Sequence, residues 1–316
     1  MYGIEEFAQE TAKAVNSRLG KWYKAEIHIT EKINTGKRYA LVIKDSRNNV
    51  SPSFYLDSVY SRYISGGYTA VPLAETIIRE YNSVKDSIEE YGRLQKHLSE
   101  KRWMEERLFL QLVNTDKNKG FLSDAVHSDS LGLSLVLYAL AADDSSGMAK
   151  VKVTKEICRG FGWDEKEILC YALRNTEKLF PVELCPLGSM INKFLNMEGD
   201  IKIPGTGIPV CRDCVTVLSN QRGIYGAVSL FYTGVLKGFS EREGISLFLI
   251  PSSIHEFLII PDNGLYNPKD LGKLLREVNS TEVAPDEILS DNLYYYNYEK
   301  GELSVLNAGS EKPVIL

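Results

Sequence analysis

The sequence lacks the features of exported, membrane-spanning and disulfide-rich proteins. Its 316 residues include five cysteines, an odd number, and most of them lie in apolar periodic segments. This pattern predicts reduced thiols in a core and not a disulfide framework. The first ten residues, MYGIEEFAQE, are acidic where a signal peptide is basic. The longest apolar run, residues 131–142, is too short to span a bilayer. We therefore expect a cytoplasmic protein without a membrane span.

An excess of positive charge is also missing. The chain has 37 Lys and Arg residues against 42 Asp and Glu residues, for a net charge of −5. A weakly acidic and evenly spread surface does not attract a phosphate backbone, so we expect no nucleic-acid binding through a broad basic face. A hydrophobic content of 44% with 25% charged residues is typical of globular proteins, and it argues against disorder.

The short motifs that accompany catalysis are absent as well. The sequence contains no HExxH, no GxSxG and no nucleotide-binding fingerprint. The glycine-rich stretch at Gly205-Thr206-Gly207 lacks the Lys and the Ser or Thr of a phosphate-binding loop. We therefore expect no cofactor, and the absence of motifs favours a protein that is not an enzyme without excluding one.

Hydrophobic periodicity predicts a first module over residues 1–114. Apolar residues at steps of three and four predict helices, and alternating residues predict strands. The elements follow the order helix, β-hairpin, long helix and closing strand, over residues 3–19, 25–44, 73–103 and 107–113.

Two further modules and a linker are predicted after the first. Residues 115–185 contain a β-hairpin and a helix with Asp164 as its N-cap and Glu167 three positions later. Residues 186–210 are rich in proline and glycine, which predicts a linker. Residues 211–316 have the order βαββαββ, typical of a split-βαβ-like antiparallel sheet with two helices on one face. The predicted class is α+β, built from several small mixed modules.

Four segments resemble an uncharacterised bacterial family that is known only as a domain of unknown function. They are VSPSFYLDSVYSRY, LQLVNTDKNKGFLSDAVHSDSLGLSLVLYAL, GWDEKEILCYALRNTEKLFP and FLIPSSIHEFLIIP. The resemblance spans nearly the whole chain and implies an origin in anaerobic Gram-positive bacteria and an accessory role. A second uncharacterised family, from spore-forming relatives, is similar in the order of its elements and has a histidine at the position of His255. Neither family supplies an activity, a cofactor or a catalytic residue.

The pair Cys211 and Cys214 has the CxxC spacing of half a zinc site or of a redox pair, because two thiolates three positions apart can reach one metal ion. A structural zinc site needs two more ligands, and only Cys185 and His255 are remotely suitable. Packing at the entry to a buried strand explains Cys214 equally well. We expect no metal at this pair, which is also not part of the pattern of the family that the chain resembles.

The run Ser252-Ser253-Ile254-His255-Glu256 is the most chemically suggestive in the chain. As a catalytic site it would supply Ser253 as nucleophile and His255 as base. In an extended segment, however, Ser253 and His255 share one face and Glu256 points to the other, so this run alone forms no catalytic relay. The alternatives are a structural turn, capped by the serines and hydrogen-bonded by His255 across the sheet, and a binding surface.

A second candidate binding surface is a row of tyrosines near the C-terminus. In a strand, Tyr294, Tyr296 and Tyr298 share one face, and Tyr295 lies on the other. Aromatic rows favour sheets and are also enriched at recognition surfaces.

The sequence thus leads to two hypotheses of function. The first is a non-enzymatic interaction or regulatory accessory protein with a protein partner. The alternative is a hydrolase-like or nucleotide-handling enzyme with a site around His255. A concave pocket that contains His255 and a second titratable group would favour the enzyme. The sequence does not specify an oligomeric state.

Overall fold

The computed structural model describes residues 2–47, 51–66, 70–84, 97–144, 147–188 and 215–306. The chain divides into two compact units, Met1–Glu106 and Arg107–Leu316. The described residues form helices and three antiparallel sheets, which confirms the predicted α+β class. No helix among them is long and apolar enough to cross a membrane.

The first unit consists of a three-stranded sheet, with strand order β1-β2-β3, and helices packed on it. The predicted first helix and hairpin are confirmed, and Asn16 at the end of the helix exchanges two hydrogen bonds of 2.8 Å with the backbone of Ala25 in the first strand. The described elements are α1 (Ile4–Asn16), β1 (Tyr23–Lys32), β2 (Gly36–Asp45), β3 (Ser53–Tyr55), α2 (Asp57–Ile64), α3 (Ala70–Val84) and α4 (Lys101–Glu105).

The second unit contains two antiparallel sheets. The four-stranded sheet has the order β4-β6-β5, with β7 also paired to β6, and its strands are β4 (Leu108–Asn114), β5 (His127–Ser130), β6 (Leu133–Asp144) and β7 (Gly147–Lys152). The six-stranded sheet has the order β13-β12-β10-β11-β9-β8, and its strands are β8 (Val182–Pro186), β9 (Thr216–Asn220), β10 (Leu247–Ser253), β11 (Glu256–Pro261), β12 (Leu293–Asn297) and β13 (Glu302–Leu306).

Helices of the second unit connect and cover these sheets. They are α5 (Lys119–Leu122), α6 (Lys155–Phe161), α7 (Glu165–Leu179), α8 (Val235–Glu243) and α9 (Pro268–Thr281), together with 3-10 turns at Asp116–Asn118 and Gly226–Phe231. Helix α9 packs on the face of the six-stranded sheet that carries Phe248 and Ile250. The predicted N-cap of α7 is confirmed, since the Asp164 carboxylate accepts hydrogen bonds from two backbone amides of the first turn.

The boundary of the first unit differs from the predicted one. Strand β4 was expected to close the first module, but it hydrogen-bonds along its length to β6 and belongs to the second unit. Helix α7 covers the free edge of β4: the Thr176 hydroxyl accepts from the Leu110 amide at 2.9 Å, and the Asn175 side chain donates to the Leu108 carbonyl at 2.7 Å. Such a cover satisfies edge groups that would otherwise lack partners.

The residues on both sides of the predicted linker lie in one sheet, because β8 pairs with β9. Residues 189–214 lie outside the described part of the chain, so the linker at 186–210 stays a prediction. The single helix predicted between the first two strands of the βαββαββ order is divided into the 3-10 turn Gly226–Phe231 and α8. The division occurs because Gly234, at the N-cap of α8, has a left-handed φ of 76° that a right-handed helix cannot contain.

Candidate functional site

His255 lies in the tight turn that joins β10 to β11. The turn is closed by the pairing of Ser253 with Glu256. Its backbone is fixed by two serine hydroxyls: Ser253 Oγ accepts from the His255 amide at 3.0 Å, and Ser219 Oγ donates to the His255 carbonyl at 2.8 Å. Ser253 therefore contacts the backbone of His255 and acts as a turn residue.

Both nitrogens of the His255 ring face protein groups. Nδ1 accepts a hydrogen bond of 3.0 Å from the Tyr225 amide, so the proton of the neutral ring is on Nε2, which lies 3.6 Å from Glu287 Oε1. The ring also stacks on Tyr225, with centroids 5.6 Å apart and planes 24° apart. Ser252 lies in a different environment. It is among the residues that line an apolar cavity of about 130 Å³ beneath α9. The structure thus does not bring Ser252 to His255.

The Tyr225 ring also contacts a lysine. Lys150 Nζ lies 3.7 Å from the centroid of the Tyr225 ring and 4.4 Å from that of Tyr138, and it donates a hydrogen bond to Gln111 Oε1. An ammonium over an aromatic face is attracted by the ring quadrupole. We call Lys150, Tyr138, Tyr225 and Gln111 the Lys150 site.

The charge of Lys150 is not balanced by a carboxylate in the part of the chain that the structure describes. Among the described residues none lies within 4.0 Å of its amine, whereas Lys152, two positions along β7, lies 2.6 Å from Asp124 Oδ1. Burial lowers the pKa of Lys150 to about 7, and the two tyrosine rings oppose this shift because they favour the ammonium form. Lys150 and Lys152 therefore lie in the same strand, but among the described residues only Lys152 has a carboxylate partner.

Gln111 is fully buried in β4, and its Nε2 has no hydrogen-bond partner in the described part of the structure. A buried polar group left without a partner costs about 1–3 kcal/mol, and such groups are rare in native proteins. The Gln111 side chain therefore accepts a hydrogen bond from Lys150 through Oε1 and retains an N–H donor, Nε2, that has no partner among the described residues.

Strand register and one tight turn assemble the Lys150 site. Tyr138 and Leu140 point to the same face of β6, and Lys150 pairs with Leu140, so the lysine lies diagonally across from Tyr138. Tyr225 is held in a left-handed conformation with φ of 55°. The next residue, Gly226, has no space for a side chain, because a Cβ atom would lie 2.6 Å from the His255 carbonyl oxygen and 2.7 Å from the Asn220 nitrogen.

The structure places most of the predicted tyrosine row in the core. Tyr294 is 0% exposed and donates to the Leu131 carbonyl at 3.2 Å, and Tyr296 is 6% exposed. Tyr298 is 44% exposed and lines a polar groove with Lys237 and Glu241. The exposed part of the row is therefore Tyr298.

The cysteines of the candidate metal pair, Cys211 and Cys214, lie outside the described residues. Within the described ranges, no group of three or more His, Cys, Asp or Glu residues could hold a metal ion. The expectation about this pair stays a prediction.

The Lys150 site was not predicted from the sequence. Two signals were present: Gln111 is a polar residue inside the apolar strand LFLQLVN, and Lys150 alternates with apolar residues in a strand next to a buried one. The sequence does not show which residues contact Gln111 and Lys150, because these contacts depend on the register of β6 with β7 and on the position of Tyr225 in the folded chain.

The fold and the site define an α+β protein with a half-buried lysine held between two tyrosine rings. The model of a family of unknown function, DUF5688, matches residues 4–298, and the chain belongs to this family. This match confirms the resemblance to a family of unknown function. No curated protein and no solved structure matches the chain. The bacterial origin and the second family stay predictions.

Proposed function

We propose that this protein is a non-enzymatic binding protein with a regulatory role, and that the Lys150 site binds a ligand through an acceptor oxygen atom. The observation that carries the proposal is the Lys150 amine, which lies between two aromatic faces without a carboxylate partner among the described residues. An ammonium has three N–H donors, and the hydrogen bond to Gln111 uses one of them.

The surroundings of Lys150 favour an oxygen-bearing ligand. The unpartnered Nε2 of Gln111 is a second donor beside the amine, and both tyrosine rings supply apolar walls. Small-molecule sites have this composition, with mostly apolar walls and a few polar groups that fix the orientation of the ligand.

The geometry of His255 supports a binding protein over the hydrolase-like or nucleotide-handling alternative. A general base needs a ring nitrogen within hydrogen-bond reach of the proton that it removes. In His255, Nδ1 is engaged by the Tyr225 amide, and Nε2 faces Glu287. The ring is therefore suited to positioning Tyr225, which in turn contacts Lys150.

Small carboxylates and inorganic phosphate should raise the melting temperature of the protein at pH 6.5, and Lys150→Met should abolish the rise. A ligand present at 100 times its dissociation constant stabilises the folded state by about 2.7 kcal/mol. The effect should weaken between pH 6 and pH 8, because Lys150, whose pKa is about 7, is protonated below this range and neutral above it. Thermal melts with acetate, citrate and phosphate measure it.

Lys152→Met is the matched control for this experiment, because Lys152 lies in the same strand and is neutralised by Asp124. It should retain the ligand-induced rise. An equal rise in the wild type and in Lys150→Met would place the ligand elsewhere and contradict the proposal.

A protein partner is a second candidate, favoured by the exposed ring of Tyr298 beside its polar groove. Tyrosine is enriched among the residues that dominate interface energies. Quantitative pull-down from the source organism should lose a partner with Tyr298→Ala and retain it with Tyr171→Ala, which removes another exposed tyrosine. Equal recovery with both variants would argue against this surface.

A cytoplasmic location is part of the same proposal. Cys158, Cys170 and Cys185 are free thiols, the state that a reducing compartment maintains.

A further inference from the structure

We propose that Lys150 captures a carbonyl compound, an aldehyde or a ketone, as a reversible imine. This inference rests on the proposed function only in placing the ligand at the Lys150 site, and it names the chemical class of that ligand. The carbonyl oxygen is the acceptor atom, and the carbonyl carbon is the atom that the amine attacks.

The first support is the setting of the amine. A lysine acts as a nucleophile when an apolar environment keeps part of it unprotonated. Lys150 is half-buried, and in the described part of the chain no carboxylate lies within 4.0 Å of its amine to hold it as an ammonium. Lys152 differs in this respect, since Asp124 binds its amine.

The second support is that the three side chains that the described structure places against the Lys150 amine are uncharged at neutral pH. Gln111 on β4 does not titrate, and burial raises the pKa of both Tyr138 on β6 and Tyr225 in the loop before the 3-10 turn. No phenolate therefore forms beside the amine at pH 7. Burial also lowers the pKa of Lys150 to about 7, so a large fraction of this amine is neutral where an ordinary lysine is almost fully protonated.

The reaction needs no oxidant or further reactant. The lone pair of Nζ forms a bond to the carbonyl carbon, the π electrons of the C=O bond move to oxygen, and a proton passes from nitrogen to that oxygen to give a carbinolamine. The nitrogen lone pair then forms the C=N bond as the C–O bond breaks, and the departing hydroxyl group takes up the remaining N–H proton and leaves as water. Hydrolysis reverses both steps and returns the free lysine.

Reductive trapping of the full-length chain tests this inference. Acetaldehyde with sodium cyanoborohydride converts an imine into an ethylated lysine, and peptide mass spectrometry measures the rate at each lysine. At pH 7, Lys150 should be ethylated faster than Lys152 by at least about 10-fold, because about half of the Lys150 amine is neutral, whereas an ordinary lysine is neutral to less than about 0.1%. The ratio of the two rates should fall as the pH rises to 9, because the neutral fraction of Lys150 is by then near its maximum, while that of an ordinary lysine still increases.

Equal rates at Lys150 and Lys152 across this range would overturn the inference. Lys152→Arg, which removes the comparison lysine, should leave the trapping of Lys150 unchanged, and a loss there would equally contradict it.

The same protein samples distinguish this failure from failure of the proposed function. Binding of acetate or phosphate is measured without the reductant and depends on the protonated amine, so it weakens as the pH rises. If trapping shows no preference for Lys150 but this binding is lost in Lys150→Met, only the imine is excluded. If Lys150 is neither trapped nor needed for binding, both proposals are wrong.

Discussion

Gly226→Ala should lower the free energy of unfolding of the second unit by about 3 kcal/mol, the upper end of the range for overpacking a buried site. The added methyl group would approach the His255 carbonyl and the Asn220 amide to 2.6 and 2.7 Å, in addition to the Ser219 hydroxyl. Two of these atoms belong to the backbone and cannot rotate away. A unit of this size loses about 2–4 °C of melting temperature per kcal/mol, so thermal melts should show a fall of roughly 6–12 °C.

Gly238→Ala is the matched control. Gly238 lies inside α8, and a methyl group there would meet nothing within 4 Å. Alanine is favoured over glycine within a helix by about 1 kcal/mol, so the control should melt at the same temperature as the wild type or higher. Equal stability of the two variants would mean that the close approach at Gly226 does not exist in solution.

Local sequence patterns correctly predicted the elements whose structure depends mainly on their own residues. The Asp164 N-cap, the β6–β7 hairpin and the succession of strands and helices along the C-terminal segment follow from local sequence patterns, and the structure has them. For β4, local rules predict the strand but not the strand that it pairs with. Its alternation predicted a strand correctly, but nothing in residues 107–113 indicates that the partner is β6, some 25 positions away, and not the preceding hairpin.

The candidate site was harder to predict for the same reason. Alternation correctly placed Tyr294 and Tyr296 on one face, yet whether that face is exposed depends on what covers it, and Phe257 packs edge-on against Tyr294. The Lys150 site combines residues of β4, β6 and β7 with Tyr225, about 75 positions further along. A charged residue in an alternating strand normally indicates a solvated face, and only the tertiary structure shows that rings cover this one.

His255→Ala should destabilise the second unit by about 1–3 kcal/mol, the cost of leaving a partly buried donor without its acceptor. The variant removes the acceptor of the Tyr225 amide and the ring that stacks on Tyr225. Tyr225 is held with φ of 55°, a conformation unfavourable for residues other than glycine, so loss of this bond should also release its ring from Lys150. Thermal melts measure the first effect, and the trapping rate of Lys150 measures the second.

Two further variants separate the hydrogen bond from the stacking. In His255→Asn, the side-chain oxygen occupies about the position of Nδ1 and can accept from the Tyr225 amide, whereas His255→Phe retains a ring without an acceptor. If the hydrogen bond holds Tyr225 in place, the asparagine variant should be more stable than the alanine variant and should retain the reactivity of Lys150, and the phenylalanine variant should lose that reactivity. An unchanged or higher melting temperature for His255→Ala would contradict a structural role. Since functional sites often sacrifice stability for activity, that result would instead identify the β10–β11 turn as a site of function in its own right.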